Sequence, residues 1–438
     1  MHAGRFTRIT TTMAVLGAAL LVAAGCGSDD SRDESSSSKS TTTATTMSTD
    51  DTSMTDTTSS IANPGTDLRV TMDRLLAEHA ALAYVALTKT IAGEADAEAS
   101  VTALAGNTSD LADAMGSIYG DEAKAAFQTQ WEAHIGMFVA YATATAKGDA
   151  AGKAKAAKDL NGYAVSFGKF LADAAGLDQK AATAALGVHA KGLLTAVDQF
   201  AAKQYDKSWA SERVAYMHMV GTGDALAAAI SKQMPDKFGT GSIGSGTADT
   251  RVLLDTQLGE HAFLAALATT KSLSGAKDAS AAVGALTANS NALAETIGSV
   301  YGAAAQKQFD TQWKAHIGLF VDYTVALAKG DDAAKQQAAD GLQAYAEGFS
   351  QFLATATDGD QAAYQSALEE HVAELAGALE AAKAGDADTA WTDVRKAYAH
   401  MFMTGDALVT AIVAQNPDKF PAGESAPAAE GDAMAANG

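Results

Sequence analysis

Cysteine is almost absent: Cys26 is the only one in 438 residues. Once it is accounted for, no cysteine remains for a disulfide or a thiolate metal site. Proline is nearly as scarce, at 5 residues, and long β-branched runs are few. With alanine abundant, these shortages favour helix nearly everywhere. Basic residues are outnumbered, 31 against 52 acidic, for a net charge of -21. That balance repels phosphate backbones and anionic lipid, so nucleic acid is not an expected partner.

What the chain does contain is 47% hydrophobic and 19% charged residues, the composition of a soluble globular protein long enough for two or three domains. Arg5 and Arg8 precede "MAVLGAALLVAAG", an apolar run too short to span a bilayer as a helix. Residues 1–25 therefore read as an export signal. Cys26 directly follows Ala23, Ala24 and Gly25, which resembles a bacterial lipobox, although Leu21 sits further back than the usual leucine. The resemblance implies a diacylated Cys26 and an extracytoplasmic protein touching the membrane through its lipid anchor only. The alternative is ordinary cleavage after Ala24, leaving a free thiol. Residues 26–62 are rich in serine, threonine and aspartate and read as a disordered tether, with a typical span of about 30 Å. Residues 421–438 read as a disordered tail.

Displacing the chain on itself by 182 residues aligns Arg69 to Phe238 with Arg251 to Phe420 without a gap. Two repeats follow, at 63–238 and 251–420, joined by a Gly/Ser linker at 239–250. Apolar periodicity gives six helices in the first repeat: 67–92, 97–119, 122–147, 150–175, 179–203 and 205–233. The expected fold is all-α: two tandem homologous up-and-down bundles of about six helices each, with room for the second helix to lie outside a tighter core.

Apart from His2, all histidines fall into aligned pairs: His79 with His261, His134 with His316, His189 with His371, and His218 with His400. Each sits near the middle of a different predicted helix, where positions from antiparallel helices share a layer. Converging neutral imidazoles bind transition metals. Glu78 and Glu260 precede the first histidine of each repeat and are candidate fifth ligands or orienting carboxylates. Met219 and Met401 follow the last and place a soft thioether nearby, which favours copper, with iron and zinc as alternatives. Trp131, His134, Phe138 and Tyr141 recur as Trp313, His316, Phe320 and Tyr323, one helical stripe of aromatic rings walling a histidine. The matched acids Asp198 with Glu380 and Asp224 with Asp406 read as capping or supporting groups.

With "LLAEHAALA", "YGDEAKAAFQTQWEAHIGMFVAYATA" and "RVAYMHMVGTGDALAAAI" in view, the chain resembles a group of exported helical proteins of Gram-positive bacteria, some automatically labelled copper amine oxidase. The resemblance covers both repeats. It implies metal-linked roles for Glu78, His79, Trp131, His134, His189, His218, Met219 and their partners 182 residues on. The oxidase label does not transfer, because a quinone-forming Asn-Tyr pair and a β-rich domain are both missing.

The function expected from these features is transition-metal binding, copper first, for storage, buffering or delivery. Three alternatives stand beside it: a haem-binding or electron-transfer bundle without a Cys-x-x-Cys-His attachment site, a metal-dependent oxidoreductase, and a structural bundle.

Overall fold

A computed structural model describes residues 63–239 and 243–420. Residues 1–62, with the expected signal, Cys26 and tether, lie outside the described residues, as do 240–242 and the tail 421–438. The described residues form thirteen helices and no strand. They are α1 (Pro64–Ala92), α2 (Ala97–Tyr119), α3 (Asp121–Lys147), α4 (Ala150–Ala175), α5 (Gln179–Ala201), α6 (Tyr205–Gln233), the single turn α7 (Pro235–Phe238), α8 (Gly246–Ser274), α9 (Ala279–Tyr301), α10 (Ala303–Lys329), α11 (Asp332–Thr357), α12 (Gln361–Ala384) and α13 (Ala387–Gln415). Within each half, successive long helices pack on one another, and their short connections make a helical bundle.

Local chemistry sets the boundaries. The Asn63 side chain accepts from the Gly65 and Thr66 N–H groups and Pro64 opens the first turn of α1, which satisfies donors that the helix cannot. At the other end Gly93 takes a left-handed conformation, φ 66°, and its N–H returns to Lys89 and Thr90. The last five residues of the expected linker, from Gly246 on, are helical. Ser245 caps α8 through the Ala248 N–H, 3.1 Å away, and Thr247 and Ala248 are buried, so packing continues where composition suggested a free joint.

The two central helices explain where the core sits. Every residue of α1 from Leu75 to Lys89 is buried, as is every residue of α8 from Leu258 to Thr269; helices buried all round belong at a centre. The first is enclosed by α2, α3, α5 and α6, the second by α9, α10, α12 and α13, and the two touch each other. The second helix is not peripheral. Leu104, Asn107 and Leu111 are buried, and α2 packs on α1, α3 and α13.

Contacts between the first half (63–239) and the second (243–420) are reciprocal. Arg395 on α13 donates to Glu78 on α1 at 2.8 Å, and Arg213 on α6 donates to Glu260 on α8 at 2.7 Å. Arg69 reaches Asp249 at 2.5 Å, while Arg251 reaches Asp67 at 2.7 Å. The hydroxyls of Tyr216 and Tyr398 meet at 3.1 Å. Residue i meeting j while the aligned j meets i is the pattern of like surfaces joined about a two-fold axis.

Two predictions follow from local strain and from the interface. Lys203 and Asp358 hold left-handed backbone, φ 61° and 55°, where the aligned positions carry Gly385 and Gly176. Lys203→Gly and Asp358→Gly should each stabilise the protein by about 0.5–1 kcal/mol in urea melts, because glycine relieves the Cβ clash. At the interface, Arg395→Met leaves the buried Glu78 carboxylate without its cation and should cost about 3 kcal/mol by the same measurement.

Candidate metal centre

α1, α3 and α5 each contribute one histidine to the same point in the first half. His79, His134 and His189 are all buried, and one ligand atom from each lies within 4.8 Å of the other two; His261, His316 and His371 repeat the arrangement on α8, α10 and α12. The Nε2 atoms of His79 and His134 are 3.3 Å apart, as are those of His261 and His316. Two nitrogens held at about 2.0–2.1 Å from one tetrahedral ion are separated by roughly 3.3 Å. The closer pair therefore has the spacing of two ligands on one metal, and the same spacing allows an N–H···N hydrogen bond when one ring carries its proton on Nε2.

The Nδ1 atoms of His134 and His316 have no hydrogen-bond partner, so each ring is free to take the tautomer whose Nε2 offers a lone pair. Neither ring nitrogen of His189 or His371 has a partner, and the buried Trp131 Nε1 and Tyr163 OH are also unpaired. Orphaned polar atoms gathered at one buried spot are costly unless an ion or water satisfies them. A cavity of about 20 Å³ lies among Trp131, His134, Tyr163, His189 and Met219, room for an ion or a single water.

The surrounding rings keep the site dry. The Tyr163 ring stacks on His134 at 5.1 Å and 17°, Trp131 lies edge-on to it at 4.6 Å, and Phe138 closes another side at 5.9 Å. The aromatic stripe expected on α3 is buried at all four positions, Trp131, His134, Phe138 and Tyr141. Burial holds every imidazole of the two clusters neutral. It pushes His134 down to about 3 with help from His189, His189 to about 4, His316 to about 4 and His371 to about 3. Burial also takes His79 and His261 well below the ordinary range, with the neighbouring imidazoles adding to it.

The other sequence candidates go elsewhere. Glu78 and Glu260 are not brought to the imidazoles. Their carboxylates are held by Arg395 and Arg213 of the opposite half and by the Asn107 and Asn289 amides at 2.8 and 2.7 Å. The fifth-ligand expectation gives way for a physical reason: residue i−1 on a helix buried all round faces the neighbouring half. Asn107 and Asn289 also donate to the Leu75 and Gln257 carbonyls, while their Oδ1 atoms and the Nδ1 atoms of His79 and His261 have no hydrogen-bond partner. His218 and His400 lie outside the triads, their Nε2 atoms donating to the carbonyls of Ala185 and Ala367, both at 2.9 Å. Met219 borders the cavity, whereas Met401 is buried in the apolar core. Asp198 and Glu380 accept from Tyr141 and Tyr323, and Asp224 and Asp406 pair with Arg69 and Arg251, ties between helices rather than caps. Asn107, Asn289, Tyr163 and Tyr345 were missed, although the 182-residue alignment that singles out the histidines matches them too.

Neutral burial has a signed consequence. In the unfolded chain histidine takes up its proton near pH 6.5, while the buried rings stay neutral down to about 3 to 4. Between those limits the unfolded state binds more protons, so metal-free protein loses stability as pH falls, by about 1 kcal/mol per unit for each such ring. His189→Gln removes one contribution. Urea melts from pH 6.5 to 4 should show the variant gaining on the wild type by about that slope, and parallel profiles would refute neutral burial of His189. No protein-family model matches this chain, and neither a curated protein nor a solved structure shows significant similarity to it.

Proposed function

We propose that this protein is an exported, lipid-anchored metal-binding protein built of two homologous helical bundles. Each holds one transition-metal ion on three imidazoles, copper ahead of zinc and iron, and the protein buffers or passes on that metal. The observation that carries the reading is the 3.3 Å separation of paired Nε2 atoms, found in both halves. Three neutral imidazoles without carboxylate or thiolate suit copper and zinc. The Met219 thioether on the cavity wall shifts the balance toward copper. Export and the anchor at Cys26 rest on the sequence of the first 26 residues.

Haem fits poorly: the cavity of about 20 Å³ has no room for a macrocycle, and the close nitrogens stand side by side rather than on opposite faces of one. A structural role fits poorly as well. Packing alone would be served by leucine or phenylalanine, without orphaned nitrogens. Small-molecule chemistry on the metal has one observation in its favour, in the second half. A cavity of about 70 Å³ there runs along His261, His316, Thr269, Val283, Val321 and Val325, and the three valines are exposed.

The test is elemental analysis of protein purified without a histidine tag and equilibrated with copper, zinc or iron. One tightly held ion per half is expected, and His134→Ala with His316→Ala should abolish it while helicity is kept. Unchanged metal content in that variant, or no specific binding in the wild type, would overturn the reading.

A further inference from the structure

The second half has a cavity that leads from the surface to its imidazole cluster. About 70 Å³ of space is lined by α8, α9 and α10. At one end are His261 and His316, both buried; at the other are Val283, Val321 and Val325, each more than 40% exposed. Val321 and Val325 lie one turn apart on α10, and Val283 comes from α9. Three aliphatic side chains therefore rim the opening.

The hydroxyls along this wall are already committed. Thr269 donates to the Ala265 carbonyl at 2.7 Å, Ser272 to that of Ala268 at 2.6 Å, and Thr324 to that of Phe320 at 2.7 Å. Leu286, Phe320 and Leu375 contribute only carbon. Beyond the two imidazoles, the side chains of this wall offer a water no donor. A buried water needs two to four polar partners, and this space is several times the roughly 10–15 Å³ that a single water requires, so most of it is poorly hydrated.

The first half is built differently at the same place. Leu87, 1% exposed, stands where the second half has Thr269, and Thr143 stands where it has Val325. A bulkier side chain on the central helix and a hydroxyl in place of a rim methyl thus set the two halves apart.

We infer that the second half holds a binding pocket for a small, neutral, apolar molecule of about the size of dioxygen, bounded at its inner end by His261 and His316. A polar or charged guest would give up water without gaining partners, whereas an apolar one gains close contacts along the aliphatic wall. Thr269 sets the depth of the pocket, being the smaller residue at the place the first half fills with leucine. The pocket does not require a metal; only the meeting of guest and ion at its inner end rests on the function proposed above.

The test uses xenon, an apolar atom, dissolved under pressure with metal-free protein, and follows methyl shifts by nuclear magnetic resonance. Val283, Leu286, Val321 and Leu375 should shift along one saturating curve, while Leu104 and Leu193, the counterparts of Leu286 and Leu375, stay still. Thr269→Leu should abolish the saturable shifts, and Thr269→Val, of the same shape without the hydroxyl, should keep them. Shifts that grow linearly with xenon in both halves would overturn the pocket, as would undiminished shifts in Thr269→Leu. Loss of the shifts in Thr269→Val would also overturn it, by showing a cavity organised around hydroxyl-bound water. The residue pattern in the wild type decides by itself should Thr269→Leu not fold. Because the protein is metal-free throughout, failure of the pocket leaves the metal reading to its own elemental analysis, and failure of that reading leaves xenon binding unchanged.

Discussion

Three imidazoles meeting in a dry core must be neutral, and most of the structure follows from keeping them so. A charged ring there would lack both water and a counter-ion, and the acidic groups that could provide one are held away by arginine. Neutral rings have lone pairs to place. At 3.3 Å, the facing Nε2 atoms of His79 and His134 are placed to share a proton or, on the function proposed above, a cation. The aromatic walls from Trp131, Phe138 and Tyr163 then serve two ends. They exclude water, and they fix the orientations of the imidazole rings.

The interface between halves comes within one residue of the candidate centres. Arg395 binds Glu78, which accepts from Asn107 and directly precedes His79. Arg213, Glu260 and Asn289 repeat the arrangement beside His261. Each half therefore supplies the cation that fixes the carboxylate next to the other half's first histidine. A bundle of this kind separated from its partner would leave a buried carboxylate unpaired next to its histidines, which is a physical reason for two copies to remain on one chain.

Much of this was legible in the sequence because it depends on periodicity. The six helices expected in the first half agree with those observed to within three residues at each end, since glycine, aspartate and proline mark the ends by local chemistry. The histidines were legible because the chain aligns with itself. Which of them converge was not. His218 sits mid-helix like the others, but its ring is turned to the Ala185 carbonyl, and a helical wheel does not fix depth or rotation. Glu78 failed for another reason: its partner Arg395 lies 317 residues away, on a surface that exists only when the halves meet.

Identical ligands do not make identical centres. The second half has Thr269 on the wall of its cavity, and the aligned residue of the first half is Leu87, larger and 1% exposed. Val283 and Val321 are exposed at that cavity, whereas the aligned Val101 and Val139 are only half-exposed. Donor type and spacing are shared by the two clusters, and the walls are not. One cluster enclosed by leucine and one bordered by threonine and exposed valines present the same three imidazoles at different accessibility to solvent.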